Sequence, residues 1–167
     1  MDLFEIDHDI DLKLMKEYQS LTHITCSCLK GLERDFQEYL PKIVLLQGDT
    51  STAFAAALAA FYQNIPIGHI EAGLRTNNIN DPFPEEGNRR LISQLSTLNY
   101  APTSNSLENL KSSAVTGEIE ITGNTVIDSL LIIAKKGKQP PTQKIDWINK
   151  KVLFATIHRR ENWGEPI

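Results

Sequence analysis

From residue 21 onward apolar side chains recur at steps of three and four: Leu21, Ile24, Cys28, Leu32, Phe36, then Tyr39 or Leu40. That is the period of an amphipathic helix, and it predicts one over 19–40, closed by Pro41. The pattern then changes to a short aliphatic and β-branched run, Lys-Ile-Val-Leu-Leu-Gln-Gly at 42–48. Such a run ending on glycine reads as a strand buried on both faces. Thr50 or Ser51 can cap the alanine-rich helix that follows to about Tyr62, and 66–72 forms a second strand candidate. The stretch from Gly73 to Pro84 holds three asparagines and two prolines, so it reads as a loop. Pro84 suits the first position of a helix running to about Thr97. Beyond it the pattern predicts a strand at 98–102, a helix at 104–113, a strand at 119–122 and a helix at 125–136. A polar segment with Gly137, Pro140 and Pro141 follows as a linker, and 151–157 forms a last strand before His-Arg-Arg-Glu-Asn.

Strand and helix alternate throughout, which predicts an α/β fold: a Rossmann-like, doubly wound parallel sheet with helices on both faces. Ligands of such sheets bind outside the carboxyl ends of the strands. At 167 residues the chain has the size of one average domain. Its 17 Lys+Arg against 21 Asp+Glu give a net charge of −4, which speaks against a nucleic-acid partner. The longest apolar stretch, Ala53 to Tyr62, is too short for a membrane span, which takes roughly 17–25 residues. The start is acidic where a secretory signal is basic and then apolar, so the expected location is the cytoplasm. Cys26 and Cys28 have no second Cys/His pair at ligand spacing and read as two buried thiols. No metal site can be assembled from the histidines: His8 and His23 read as surface positions, and His69 as a satisfied residue of the core or one that supports a neighbouring site residue. With neither a Gly-x-Gly-x-x-Gly nor a Walker-type loop, a nicotinamide or ATP site lacks its main support, and no cofactor is expected.

Four polar clusters fall at carboxyl ends of strands. Asp49 follows the first strand and has an easy alternative role as a helix cap. Glu71 directly follows an apolar strand, where a carboxylate must be paired, hydrogen-bonded or titrating with a raised pKa. Glu85 and Glu86 open a helix, where negative charge offsets the helix dipole, and that reading weighs more heavily for Glu86. His158 stands beside Arg159 and Arg160, whose forked guanidinium groups suit phosphate oxygens. Opposed carboxylates with a histidine beside arginines suggest acid/base chemistry on a phosphate-bearing substrate.

Taken together, Gln-Gly-Asp-Thr (47–50), His-Ile-Glu-Ala-Gly-Leu-Arg-Thr (69–76), Pro-Phe-Pro-Glu-Glu-Gly-Asn-Arg (82–89), Ile-Thr-Gly-Asn-Thr-Val-Ile-Asp (121–128) and His-Arg-Arg-Glu-Asn (158–162) resemble the bacterial UDP-N-acetylglucosamine 2-epimerases of the non-hydrolysing type. The resemblance implies a glycosyltransferase-B-like arrangement of two Rossmann-like domains with the nucleotide sugar in the cleft between them. It implies interconversion of UDP-N-acetylglucosamine and UDP-N-acetylmannosamine without cofactor or metal, by loss and re-addition of UDP through 2-acetamidoglucal. By motif, Asp49, Glu71 and Glu85 match the family's catalytic carboxylates, His158 its catalytic histidine, and Arg75, Arg159 and Arg160 substrate-binding positions. Homodimers, activation by the substrate at a neighbouring site and a role in surface polysaccharide synthesis are further implications.

Against the family pattern, the first strand-helix-strand unit and nearly all of the C-terminal domain are missing. The expected organisation is an incomplete N-terminal Rossmann-like domain at 1–134, a linker at 135–150 and the first strand and loop of a second domain at 151–167. The chain alone is expected to be inactive, with the strand at 42–48 exposed along a hydrophobic edge. Gly87 stands where the family usually carries a larger residue. The alternatives are a non-catalytic nucleotide-sugar-binding remnant and a hydrolysing epimerase that releases free N-acetylmannosamine.

Overall fold

A computed structural model describes residues 4–137, 149–153 and 155. The chain divides into two compact units, Met1–Asn124 and Thr125–Ile167. The first unit contains α1 (Leu21–Tyr39), β1 (Val44–Gln47), α2 (Ser51–Tyr62), β2 (Ile67–Ile70), α3 (Glu85–Leu95), β3 (Leu98–Ala101), α4 (Ser104–Ser112) and β4 (Glu118–Ile121). The second contains α5 (Thr125–Lys136), on which Val126, Ile127, Leu130, Leu131 and Ile132 are exposed. The expected strand at 151–157 and the His158 motif fall largely outside the described residues. Residues 151–153 and 155 carry no strand.

Helices α1, α2 and α4 start at a side chain with a capping oxygen. Ser20 accepts from the His23 amide, Thr50 from Ala53 and Thr103 from Ser106, each satisfying an amide that the helix itself leaves open. Pro84 occupies the N-cap of α3 rather than its first helical position. That helix ends at Leu95, short of the expected Thr97, because the sheet claims the next residues. Thr97 donates its amide to the Ile67 carbonyl at 2.9 Å, and its hydroxyl accepts from the Ile67 amide at 3.3 Å.

The four strands are parallel and lie in the order β1-β2-β3-β4. In this register Leu46, His69 and Asn99 stand on one face. Leu46 and Ile67 join Ala53, Ala57 and Ala60 of α2 and Ile92 of α3 in one core cluster, and Ala101 joins Leu110 of α4 in a second. The alanines of α2 matter because small side chains let that helix approach α1, α3 and the sheet closely. The opposite face carries Ile43 and Leu45, and none of α2, α3 and α4 covers it. Leu45 is 58% exposed, so β1 is not buried on both faces; among the described residues it is an edge strand with one covered face, in line with the exposed hydrophobic edge expected at 42–48. Gly68 lies under the Leu45 and Tyr100 side chains, and a Cβ there would sit 2.5 Å from Leu45 Cδ2.

Of the two cysteines, Cys28 is buried, and burial pushes its thiol pKa up while a Thr52 hydrogen bond pulls it back. Cys26 is exposed, against expectation, because two residues along a helix is about 200° of rotation and turns the side chain away from the packed face. Gly87 sits in the first turn of α3 with ordinary backbone, and a Cβ there meets nothing within 4 Å. Gly87→Ala is therefore expected to raise the unfolding free energy by about 0.5–1 kcal/mol, seen as a higher urea midpoint. A lower midpoint would count against it.

Candidate active site

The site forms where β1 and β2 end. Gly48 leaves β1 in the left-handed region (φ +73°), its amide still donating to the Ile70 carbonyl at 3.1 Å. Asp49 follows, and Thr50 caps α2, so Asp49 is released from the capping role. Its carboxylate instead pairs with the Arg89 guanidinium at 2.5 Å, and its carbonyl accepts from Asn88 Nδ2 at 2.8 Å.

Glu71 ends β2 at φ +67°, a conformation that L residues rarely adopt. Such strain persists only where the surroundings hold it, and it gathers at functional sites. Asn124 Nδ2 donates to Glu71 Oε1 at 2.9 Å, which meets the requirement that this carboxylate be hydrogen-bonded. Its other oxygen, Oε2, lies 3.8 Å from where a Cβ on Gly48 would stand, so the ends of the two strands are in contact. A left-handed glycine holds the connection beyond: Gly73 has φ +88°, and a Cβ there would run into the Ser106 carbonyl.

Glu85 and Glu86 both stand in the first turn of α3 but do different things. Glu85 keeps a buried Oε2 with no hydrogen-bond partner. Glu86 is in the first turn as the helix-dipole reading has it, but it is fully buried and does more than offset the dipole. Its carboxylate pairs with Arg90 Nε at 2.7 Å and Arg89 at 3.5 Å, and accepts from the Thr76 amide at 3.1 Å. Arg90 also donates to the Thr76 carbonyl at 2.9 Å. One helical turn thus grips both backbone groups of Thr76 and fixes the loop between β2 and α3. Arg89 joins Glu86 to Asp49. The signal was legible, since Glu86, Arg89 and Arg90 stand at i, i+3 and i+4. Asn88 and Asn124 carried none outside their motifs.

Arg75 turns inward. It donates to the Leu74 carbonyl at 2.8 Å and to Ser93 Oγ at 2.9 Å, and its Nε is buried without a partner. Burial lowers its pKa from the usual arginine value, Glu86 raises it, and Arg90 and Arg89 lower it; it stays a cation. His158, Arg159 and Arg160 lie outside the described residues. Among the described residues no group of His, Cys, Asp and Glu is placed to hold a metal ion, and no helix is long and apolar enough to cross a membrane.

His69 is fully buried. Its Nε2 meets the Gly48 carbonyl at 2.8 Å and its Nδ1 has no partner, so the expected satisfied core histidine is satisfied on one side only. Burial holds its pKa below the usual histidine value, the Gly48 hydrogen bond raises it, and the Arg75 charge lowers it further. The unfolded ring binds a proton below about pH 6.5 and the native ring only at lower pH. Over that window the unfolded state binds more protons, so stability falls as pH drops. His69→Gln is expected to remove this contribution and flatten the urea midpoint against pH below about 6.5, whereas parallel curves for parent and variant would contradict it.

A parallel α/β sheet with polar and charged side chains gathered at the carboxyl ends of its strands defines a Rossmann-like domain, whose ligands bind at that end. The sequence profile of the UDP-N-acetylglucosamine 2-epimerase family matches residues 1–167. The chain belongs to that family. It is 49% identical over 174 residues to the UDP-N-acetylglucosamine 2-epimerase of Salmonella borreze, covering 99% of this chain and 46% of that protein. The chain thus spans about half the length of the curated relatives it matches. The crystal structure of the Neisseria meningitidis UDP-GlcNAc 2-epimerase bound to UDP-GlcNAc is 51% identical, with a TM-score of 0.76 over 81% of this chain and 37% of its own. A Listeria monocytogenes crystal structure is 42% identical, with a TM-score of 0.91 over 99% of this chain and 43% of its own.

Proposed function

We propose that this chain supplies the acid/base face of an enzyme that interconverts UDP-N-acetylglucosamine and UDP-N-acetylmannosamine. The observation that carries the reading is that Asp49 and Glu71 stand at the neighbouring ends of β1 and β2, in contact through Gly48, and that Asp49 is paired to Arg89 of α3, the helix whose first turn holds Glu85. One carboxylate removes the proton from carbon 2 while the bond from carbon 1 to the diphosphate oxygen breaks, and UDP leaves with the electron pair. The product is 2-acetamidoglucal. UDP then adds back at carbon 1, and a second carboxylic acid delivers a proton to the opposite face of carbon 2. The three carboxylates occupy different surroundings, and such differences let environment set acid and base apart. Asp49 is ion-paired, Glu71 accepts from an amide, and Glu85 has a free oxygen.

In this reading Arg159 and Arg160 bind the diphosphate, His158 acts beside it, and Arg75 is a further substrate-binding residue. Residues 1–134 belong to an N-terminal domain, 135–150 to the crossover and 151–167 to the start of a second domain. The whole protein works in the cytoplasm as a homodimer that its substrate also activates. The test is product analysis with a polypeptide extended to the length of the relatives. UDP-N-acetylmannosamine formed from UDP-N-acetylglucosamine supports the proposal; free N-acetylmannosamine with UDP indicates a hydrolase; no turnover overturns it.

A further inference from the structure

We infer that His69 and Asn88 are positioning residues for Asp49, each holding one of the two peptide planes that flank its Cα; the inference rests on the acid/base reading of Asp49. The Gly48–Asp49 plane is held by His69 Nε2, which donates to the Gly48 carbonyl at 2.8 Å. The Asp49–Thr50 plane is held by Asn88 Nδ2, which donates to the Asp49 carbonyl, also at 2.8 Å. A side chain leaves its Cα in a direction set by these two planes. With one anchored from β2 and the other from α3, rotation about both backbone bonds of Asp49 is confined, and the carboxylate reaches Arg89 in one orientation. Near-attack geometry is this sensitive, since a misplacement of about 1 Å can cost on the order of 100-fold in rate.

Three features separate this role from plain packing. The first is that β1 has ended, so neither carbonyl joins a strand ladder, and each would be left to water without its side-chain donor. A second is burial: His69 is fully buried and Asn88 is 8% exposed, so bulk water is a poor substitute for either bond. Lastly, His69 is an expensive way to fill space. A carbonyl only accepts, so Nε2 carries the hydrogen and Nδ1 is a bare acceptor, buried without a partner. Its cross-strand neighbour Asn99 likewise has both side-chain polar atoms buried and unpartnered. An apolar residue would avoid that desolvation cost, and what it could not supply is the bond to Gly48.

Two measurements test the inference. In this chain, nitrogen NMR of the imidazole at neutral pH is expected to show His69 protonated at Nε2 and not at Nδ1; the other tautomer, or a charged ring, overturns it. In the polypeptide extended to the relatives' length, Asn88→Ala and His69→Leu are expected to lower kcat by about 10- to 100-fold with KM changed less than about threefold. His69→Gln, which keeps an N–H able to reach Gly48, restores most of kcat. Should His69→Leu fail to fold, Asn88→Ala decides, because alanine favours the helix it enters. Unchanged kcat in Asn88→Ala overturns the positioning role, as does equal loss of kcat in His69→Leu and His69→Gln. An inactive parent removes the acid/base reading itself, and the positioning role with it, whatever the tautomer shows.

Discussion

Glu71→Gln, in a polypeptide of the relatives' length, is expected to lower epimerisation by about 100- to 10,000-fold, the usual worth of a positioned acid or base. The substitution is nearly isosteric. Its amide oxygen can still accept from Asn124 Nδ2, and the left-handed backbone at residue 71 is no harder for glutamine than for glutamate. Folding should therefore survive while proton transfer does not. The effect is read from the rate of UDP-sugar interconversion together with the thermal midpoint. Activity within about threefold of the parent, with an unchanged midpoint, would remove Glu71 from the chemistry.

Glu86→Ala is expected to cost about 1.5–3 kcal/mol of stability, the largest loss we anticipate from a single side chain. Removing this carboxylate takes the acceptor from the Thr76 amide and from Arg90, while Arg89 keeps Asp49 as its ion-pair partner. A donor that loses a charged acceptor inside the protein costs more than the bond itself contributes. The loop between β2 and α3 should loosen first, because both backbone groups of Thr76 are tied to this network. Urea unfolding measures the cost, and a loss below about 1 kcal/mol would show that Arg90 and the Thr76 amide find other partners or water.

Most of the fold was legible because its periods are clean. The three-and-four spacing of α1, the aliphatic run of β1 and the hydroxyl cap of α2 each carry a local cause. What the sequence could not carry is set between elements. The α3 boundary is decided by the Thr97 amide reaching Ile67, thirty positions away along the chain. Whether an aliphatic strand is covered on one face or two depends on which side the helices take, and Leu45 looks the same in either case. In the site, Asp49 and Glu71 were visible as carboxylates at strand ends, Glu71 the harder to explain by packing and Asp49 with an easy alternative as a helix cap. The further role of Glu86 at Thr76 was not legible because a first-turn glutamate already has a sufficient explanation in the helix dipole, and its bond to Thr76 is made across the loop. His69 was read as core, which it is, but its bond to Gly48 arises from strand register that no local pattern specifies.

The central claim is that the carboxylates gathered at the ends of β1 and β2 exchange the proton on carbon 2 of a UDP-N-acetylhexosamine. Proton NMR of UDP-N-acetylglucosamine incubated in heavy water with the polypeptide of the relatives' length tests it most directly. The account predicts that the carbon 2 proton signal is lost to deuterium as UDP-N-acetylmannosamine appears, and that Glu71→Gln slows both together. A carbon 2 proton retained in substrate and product alike would contradict it.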